Sequence, residues 1–304
     1  MRSFTVLPAA LLCLVATTVS TPTRTLRPDV RPDVQPVRVR QDPAAAQPTI
    51  CGDIVDMVNE GFLYFYASDA FACLTSVPFN AAVATRFLDY LNTTLQFQST
   101  LAYLKDPPEG YQQRAIDVEG GLQAIRNNVT SGNYKNQYAF EADVHLLLYG
   151  THDGHVSLSG GVLAAFYFLA PVSITSASPD GKALPKVYIT DDIISSPEQG
   201  WVPSAIKTIN GKDAADFLTE LANVESFGGI EAHADYNQLF TTPALDIQGD
   251  NSILDGYLTF YPGDGLNVTF ENDTAIETYW LAVYNEPYPT GPLTTGKKPI
   301  TGVT

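Results

Sequence analysis

FEADVHLLLYGTHDGHVSLSGG, residues 140–161, is where the chain changes character. Up to Gly150 the pattern is helical. Phe140, Val144, Leu147 and Leu148 fall on one face, and Gly150 is placed to end the helix. Beyond Gly154 the sequence breaks into short β-branched runs separated by turn residues: VSLSGG from 156, SITSA from 173, KVYIT from 186 and SAIKTING from 204. The same stretch holds three of the chain's four histidines, His145, His152 and His155. Its reading therefore bears on both architecture and chemistry.

Outward from this junction the helical pattern extends back toward residue 49. Val83, Phe87, Leu88, Leu91 and Leu95 follow helical spacing after Asn80, and KDPPEG at 105–110 closes that region. Val118, Leu122, Ile125 and Val129 mark a second helix, ended by SGN at 131–133. On the β side, Asp213 is placed to cap a helix running to Val224. The stretch 256–285 reads as three strands divided by PGDG and ENDT. The expected class is α+β: a helical region over 49–155, then a β-rich region with two helices over 156–284.

The ends differ in kind. Residues 1–20 read as a secretory signal, with Arg2, an apolar core from Val6 to Ala16, and small Thr18 and Ser20 before the cleavage point. Residues 21–48 carry six prolines and the imperfect repeat RPDVRPDVQPV, the composition of an extended spacer or propeptide. Residues 285–304 turn to Pro, Thr and Gly and read as a linker-like tail. Export is the expected localisation, to the extracellular space. Asn92, Asn128, Asn267 and Asn272 each begin an N-x-[ST] sequon, which suits a eukaryotic secretory route. Removal of the signal also removes Cys13, leaving Cys51 and Cys73. An oxidising compartment favours a disulfide between them, two buried thiols being the alternative.

The chain of 304 residues has a formal net charge of −16. Residues 1–48 contain six Arg and three Asp, so the remainder carries 11 basic against 30 acidic residues, a net −19. Such a surface repels nucleic acid and anionic membranes, which excludes both as partners.

Three chemistries compete for the histidines. His145, His152 and His155, with Asp143 and Asp153, offer metal-ligand types, but H-x6-H-x2-H matches no zinc spacing, and no metal or other cofactor is expected. No G-x-S-x-G elbow is present, and Ser157 and Ser159 read as strand or turn residues. His145 and His152 are expected to serve the helix end, and His233 to lie on the surface. His155 differs, because Gly154 permits a tight turn and HVSL begins an alternating run. A turn-borne imidazole can face a cleft and take a proton from a nucleophile supplied elsewhere.

The run NNVTSGNYKNQYAFEADVHLLLYGTHDGHVSL, with CGDIVDMVNEG, CLTSVPFN and SAIKTINGKDAADFL, resembles fungal secreted serine peptidases of family 41 similar to the chlamydial protease-like activity factor, CPAF. These are related to the tail-specific proteases. The resemblance spans about residues 50–284 and implies a PDZ-like fold for the β-rich region. It also implies that His155 is the general base, and that peptide or protein is the substrate. The family's nucleophilic serine and supporting acid lie in a later α/β domain, for which this sequence has no counterpart. A base without a nucleophile cannot transfer an acyl group. The enzyme reading therefore takes this sequence as the N-terminal part of such an enzyme, either truncated by a gene-model error or completed by a catalytic domain in trans or in a dimer partner. The alternative is a non-catalytic secreted module that binds peptides by strand addition, with EQGWVPS at 198–204 as the nearest carboxylate-loop candidate.

Overall fold

The computed structural model describes residues 49–158, 160–225, 228–248 and 252–285. The signal at 1–20, the spacer at 21–48, Ser159, and the tail beyond Asn285 lie outside the described residues. The helical part comprises α1 (Ile50–Asn59), the short strand β1 (Tyr64–Tyr66), α2 (Ala67–Ser76), α3 (Ala81–Leu95), α4 (Leu101–Lys105), α5 (Val118–Thr130) and α6 (Gln137–Tyr149). The β-rich part runs β2 (Phe166–Leu169), β3 (Ile174–Ala177), β4 (Lys186–Ile189), α7 (Thr190–Gln199), β5 (Ile206–Ile209), β6 (Lys212–Asp213), α8 (Ala214–Val224), α9 (Ala232–Asn237) and α10 (Pro243–Gln248). It ends with β7 (Gly265–Phe270), β8 (Ala275–Tyr279) and β9 (Leu281–Tyr284). The α+β class holds, with N-terminal helices before a sheet-rich PDZ-like region. In that region α7 and α8 are the two longer helices, and α9 and α10 have six residues each.

Helix starts follow side-chain caps. The Asn80, Asp117, Asn136 and Asp213 side chains accept from backbone N–H groups in the first turns of α3, α5, α6 and α8. Each satisfies donors that have no carbonyl partner within the helix. Gly150 caps α6 as expected, but in right-handed geometry. A Cβ there would lie 2.2 Å from Ile116 Cδ1, so any side chain at this position would require Ile116 to shift.

Chain order does not carry over to packing. Leu88, Leu91, Val118, Leu122, Ile125, Phe140 and Val144 form one core among α3, α5 and α6. The first helices belong elsewhere: Ile54, Phe65 and Leu74 pack with Phe168, Ile189, Leu218, Val268 and Trp280 in the core of the β-rich region. Strand β1 is the reason. It pairs antiparallel with β9, which pairs on its other side with β2, giving the order β1-β9-β2. The remaining strands form the hairpin β3-β4 and the sheet β6-β5-β7-β8.

Helix α6 is buried on two sides. Phe140, Val144 and Leu148 face the helical core. Tyr138, Glu141, His145 and Tyr149 lie on the other side and meet the β-rich region. The Glu141 carboxylate accepts from the Val162 and Leu163 N–H groups. Tyr149 bonds Thr259, and Tyr138 accepts from the Tyr261 N–H.

Three sequence readings are corrected. HVSL does not form a strand: Val156 and Leu158 pack onto the helical core from irregular backbone. The first strand after α6 is β2, FYFL, which is buried on both faces and so lacks alternation. In 256–285, GYLTFY makes only an isolated bridge, Leu258 to Phe168, while AIETYWLAVY divides at Trp280 into β8 and β9 of different sheets. The fully buried Trp280 turns that corner, its backbone N–H donating to Asp264 O and its carbonyl accepting from the Ala67 N–H.

Cys51 and Cys73 form a disulfide that ties α1 to α2 across a separation of 22 residues. Closing a loop of that length contributes roughly 3 kcal/mol in the chain-entropy account. Replacing both cysteines with alanine is expected to lower unfolding free energy by about that amount, read from denaturant midpoints.

Two buried ionisable groups set a pH dependence. Burial pushes the Glu225 carboxyl up from 4.5 to about 8, although the Thr259 and Phe260 N–H groups donate to it. Burial pushes the His145 imidazole down from 6.5 to about 4. The Glu225 contribution to stability is therefore full below about pH 4.5 and lost as pH rises through about 8. The His145 contribution is full above about 6.5 and lost as pH falls through about 4. The two slopes oppose each other between 4.5 and 6.5, and only the Glu225 slope remains above that. Glu225→Gln is expected to lower the general level of stability while abolishing the decline from pH 6.5 to 8, measured by urea midpoints across that range.

Candidate functional site

The three clustered histidines occupy three different environments. His145 is buried on α6 against Tyr149 and Phe260, edge to face, and neither ring nitrogen has a hydrogen-bond partner. It is a packing residue between layers, not a helix-end residue. His152 is also buried, and it is His152 rather than Gly154 that takes the left-handed backbone conformation, with φ of 50°. Its N–H donates to Tyr149 O, and its Nδ1 lies 3.1 Å from Asp235 Oδ2. The expected helix-end role survives only in that backbone bond. His233 is exposed on α9, as read from the sequence.

His155 projects from the turn with its side chain 98% exposed, so its reactive face is open. Its Nδ1 lies 2.9 Å from Asp153 Oδ1, and the same oxygen accepts from the His155 backbone N–H at 2.9 Å. Asp153 Oδ2 accepts from Gln98 Nε2 at 2.9 Å. These hydrogen bonds, the His155 N–H first among them, hold the Asp153 carboxyl below its usual range, which keeps it ionised. An ionised carboxylate only accepts, so in the neutral ring the Nδ1 facing it carries the proton and Nε2 holds the lone pair. That is the tautomer a general base needs. Asp153 was visible in the sequence only as a neighbour of His155; its orienting role depends on the turn's geometry.

The turn is clamped from behind. The buried Asp235 receives Gln113 Nε2 at 2.8 Å, the Gly229 N–H at 2.7 Å and the His152 ring. Gln113 also donates to Gly229 O. Gly228, at φ of 97°, sits so close to the turn that a Cβ would lie 2.1 Å from Gly154 N. The Gly-Gly pair of SFGG, which reads as an ordinary turn in the sequence, is thus the surface against which the histidine turn rests. In front lies a cleft of about 480 Å³. His155 and Asp153 line it together with Tyr103, Leu104, Pro107, Pro108, Tyr111 and Ile230.

Among the described residues, no three metal-ligating side chains converge. Among the described residues no hydrogen bond joins His155 to a serine, and Ser157 is exposed on the segment that follows. EQGWVPS forms the end of α7 and the approach to β5, which is already paired with β6 and β7 over Thr208–Ile209. That segment of strand is closed to an added peptide. Asn92, Asn267 and Asn272 are exposed, and Asn128 is half-buried with its Oδ1 accepting from Asn133.

Gly228→Ala is expected to cost more than about 2 kcal/mol, because it combines a left-handed backbone with a collision against the turn. Gly200, at φ of 75° with open space around it, serves as control. Its replacement by alanine should cost only the backbone strain, about 1 kcal/mol. Paired denaturant titrations check the difference.

The CPAF-like PDZ domain family matches residues 167–289, which spans β2 to β9. The chain is also similar to two proteins of Diaporthe leptostromiformis, Peptidase S41 family protein phomP1' and Peptidase S41 family protein phomP1. Each is 29% identical over 192 residues, covering 62% of this chain and 28% of the relative. The chain therefore spans a little over a quarter of the length of these curated relatives. No solved structure matches it. The chain thus contains a CPAF-like PDZ domain and is similar, over part of its length, to fungal proteins of peptidase family S41.

Proposed function

We propose that this chain supplies the general base and a peptide-handling PDZ-like domain to a secreted serine-type endopeptidase. The observation that carries the reading is the Asp153–His155 pair, with Nδ1 held at 2.9 Å and the ring open at the mouth of a cleft. In the proposed reaction, Nε2 of His155 takes the hydroxyl proton as a serine Oγ forms its bond to the scissile carbonyl carbon. The carbonyl electron pair moves onto oxygen. When the carbon–nitrogen bond breaks, the same proton passes from Nε2 to the leaving amine. Asp153 holds the tautomer and stabilises the imidazolium between the two transfers. The serine belongs to the part of such an enzyme that this sequence does not contain, supplied by a longer form of the chain or by a second protein. Export through a secretory pathway, with glycans at Asn92, Asn128, Asn267 and Asn272, belongs to the same proposal.

A second reading is favoured by the family match itself, which falls on the PDZ-like region alone. In it the chain holds extended peptides without cleaving them. The two readings separate on one residue. In a preparation that contains the serine-bearing part, His155→Ala is expected to reduce labelling by a fluorophosphonate probe and peptide cleavage at least about 1,000-fold. Its thermal midpoint should stay within about 1 °C, because so exposed a side chain contributes little packing. Full labelling of the alanine variant would defeat the enzyme reading. Peptide capture unaffected by His155→Ala, with no labelling of either protein, would support the binding module.

A further inference from the structure

We propose that the cleft beside His155 is the docking site of this chain's own proline-rich segment, residues 21–48. Tyr103 and Ile230 stand about two-thirds exposed at the cleft, which Pro107, Pro108 and Tyr111 also line. Grooves walled by aromatic rings and prolines take polyproline-type strands, whose backbone is extended before binding and loses little entropy on docking. Residues 27–37, RPDVRPDVQPV, place proline at every fourth position.

Charge selects this occupant. Asp106 and Glu109 flank in sequence the two prolines that line the cleft, and Glu231 follows Ile230. All three are exposed, and no ion pair among the described residues engages them. Residues 21–48 hold five arginines against three aspartates, whereas the remainder of the chain from residue 49 carries a net −19. Arg27 and Arg31 each directly precede a proline, so the apolar contact and the cation arrive together. Reach is no obstacle. Twenty-eight residues extend roughly 85 Å at about 3.1 Å each. A folded body of about 240 residues has a radius of gyration near 18 Å.

The docking does not rest on His155 acting as a base, and its test uses the full chain. An opened variant carries Arg27→Ser, Pro28→Ser, Arg31→Ser, Pro32→Ser and Pro36→Ser. Amide exchange over residues 101–111 and 228–231 is expected to be at least about fivefold faster in it than in the unmodified chain. A labelled synthetic peptide of residues 24–40 should then bind the opened variant and not the unmodified chain. Adding Tyr103→Ala with Ile230→Asp to the opened variant should weaken that binding at least about tenfold. Both side chains are exposed, so their replacement leaves the cores intact. Raising salt should also weaken it. Equal exchange in the two chains, equal peptide binding by both, or binding indifferent to the Tyr103 and Ile230 changes would overturn the proposal. So would a cleft covered by a second copy, seen as a dimer that the Tyr103 and Ile230 changes dissociate.

Discussion

The Asp235 carboxylate is 1% exposed, and three segments far apart in sequence converge on it. Gln113 comes from the loop before α5, His152 from the turn after α6, and Gly229 from the loop after α8. A buried carboxylate without such donors would cost several kcal/mol. The fold is therefore obliged to bring all three together. What it obtains is a fixed turn. His152 is drawn inward to the carboxylate, so the residues after it are thrown outward, and Gly228 closes against Gly154 from behind. The exposed ring of His155 owes its position to a buried carboxyl group that it never touches.

The same turn lies at the end of α6, which separates the two cores. A helix with one apolar stripe docks on one partner; α6 carries an apolar stripe and, on its opposite side, a stripe of tyrosine, glutamate and histidine. The polar stripe satisfies backbone groups of the β-rich region through Glu141, Tyr138 and Tyr149. His145 fills the remaining space without a hydrogen bond, which is why its charged form is so disfavoured. The helical layer thereby presents its last turn, and the histidines beyond it, at the boundary with the PDZ-like layer.

Legibility in the sequence followed locality. Helix α5 was plain because Val118, Leu122, Ile125 and Val129 are all buried on one face, and the Asp213 cap of α8 was plain because a cap is a short-range hydrogen bond. Strand β1 has three residues, too few for any period, and is a strand only because β9 lies beside it. Strand β2 was hidden inside an apolar run. HVSL misled because its alternation matches a strand while Val156 and Leu158 serve the helical core. At the site, His155 could be singled out from its turn and its family resemblance. Of the partners that position it, Asp153 acts within the turn and depends on its local geometry, whereas Asp235, acting through His152, is brought there by a distant loop.

The pairing of β1 with β9 also sets an order of events. Residues 64–66 meet residues 281–283, so more than two hundred residues must follow β1 before its partner exists. Contacts among α3, α5 and α6 close over short separations and need no such wait. During synthesis the helical core can condense early, while α1, β1 and α2, already stapled by Cys51–Cys73, present an unpaired edge and an open apolar face. Long-range β pairing is the slow step in chains of this kind, and the exposed edge is the hazard that accompanies it. A ribosome-stalled chain that stops short of Leu281 would therefore be a client for chaperones, with half of its molecule folded and the other half waiting for a four-residue strand.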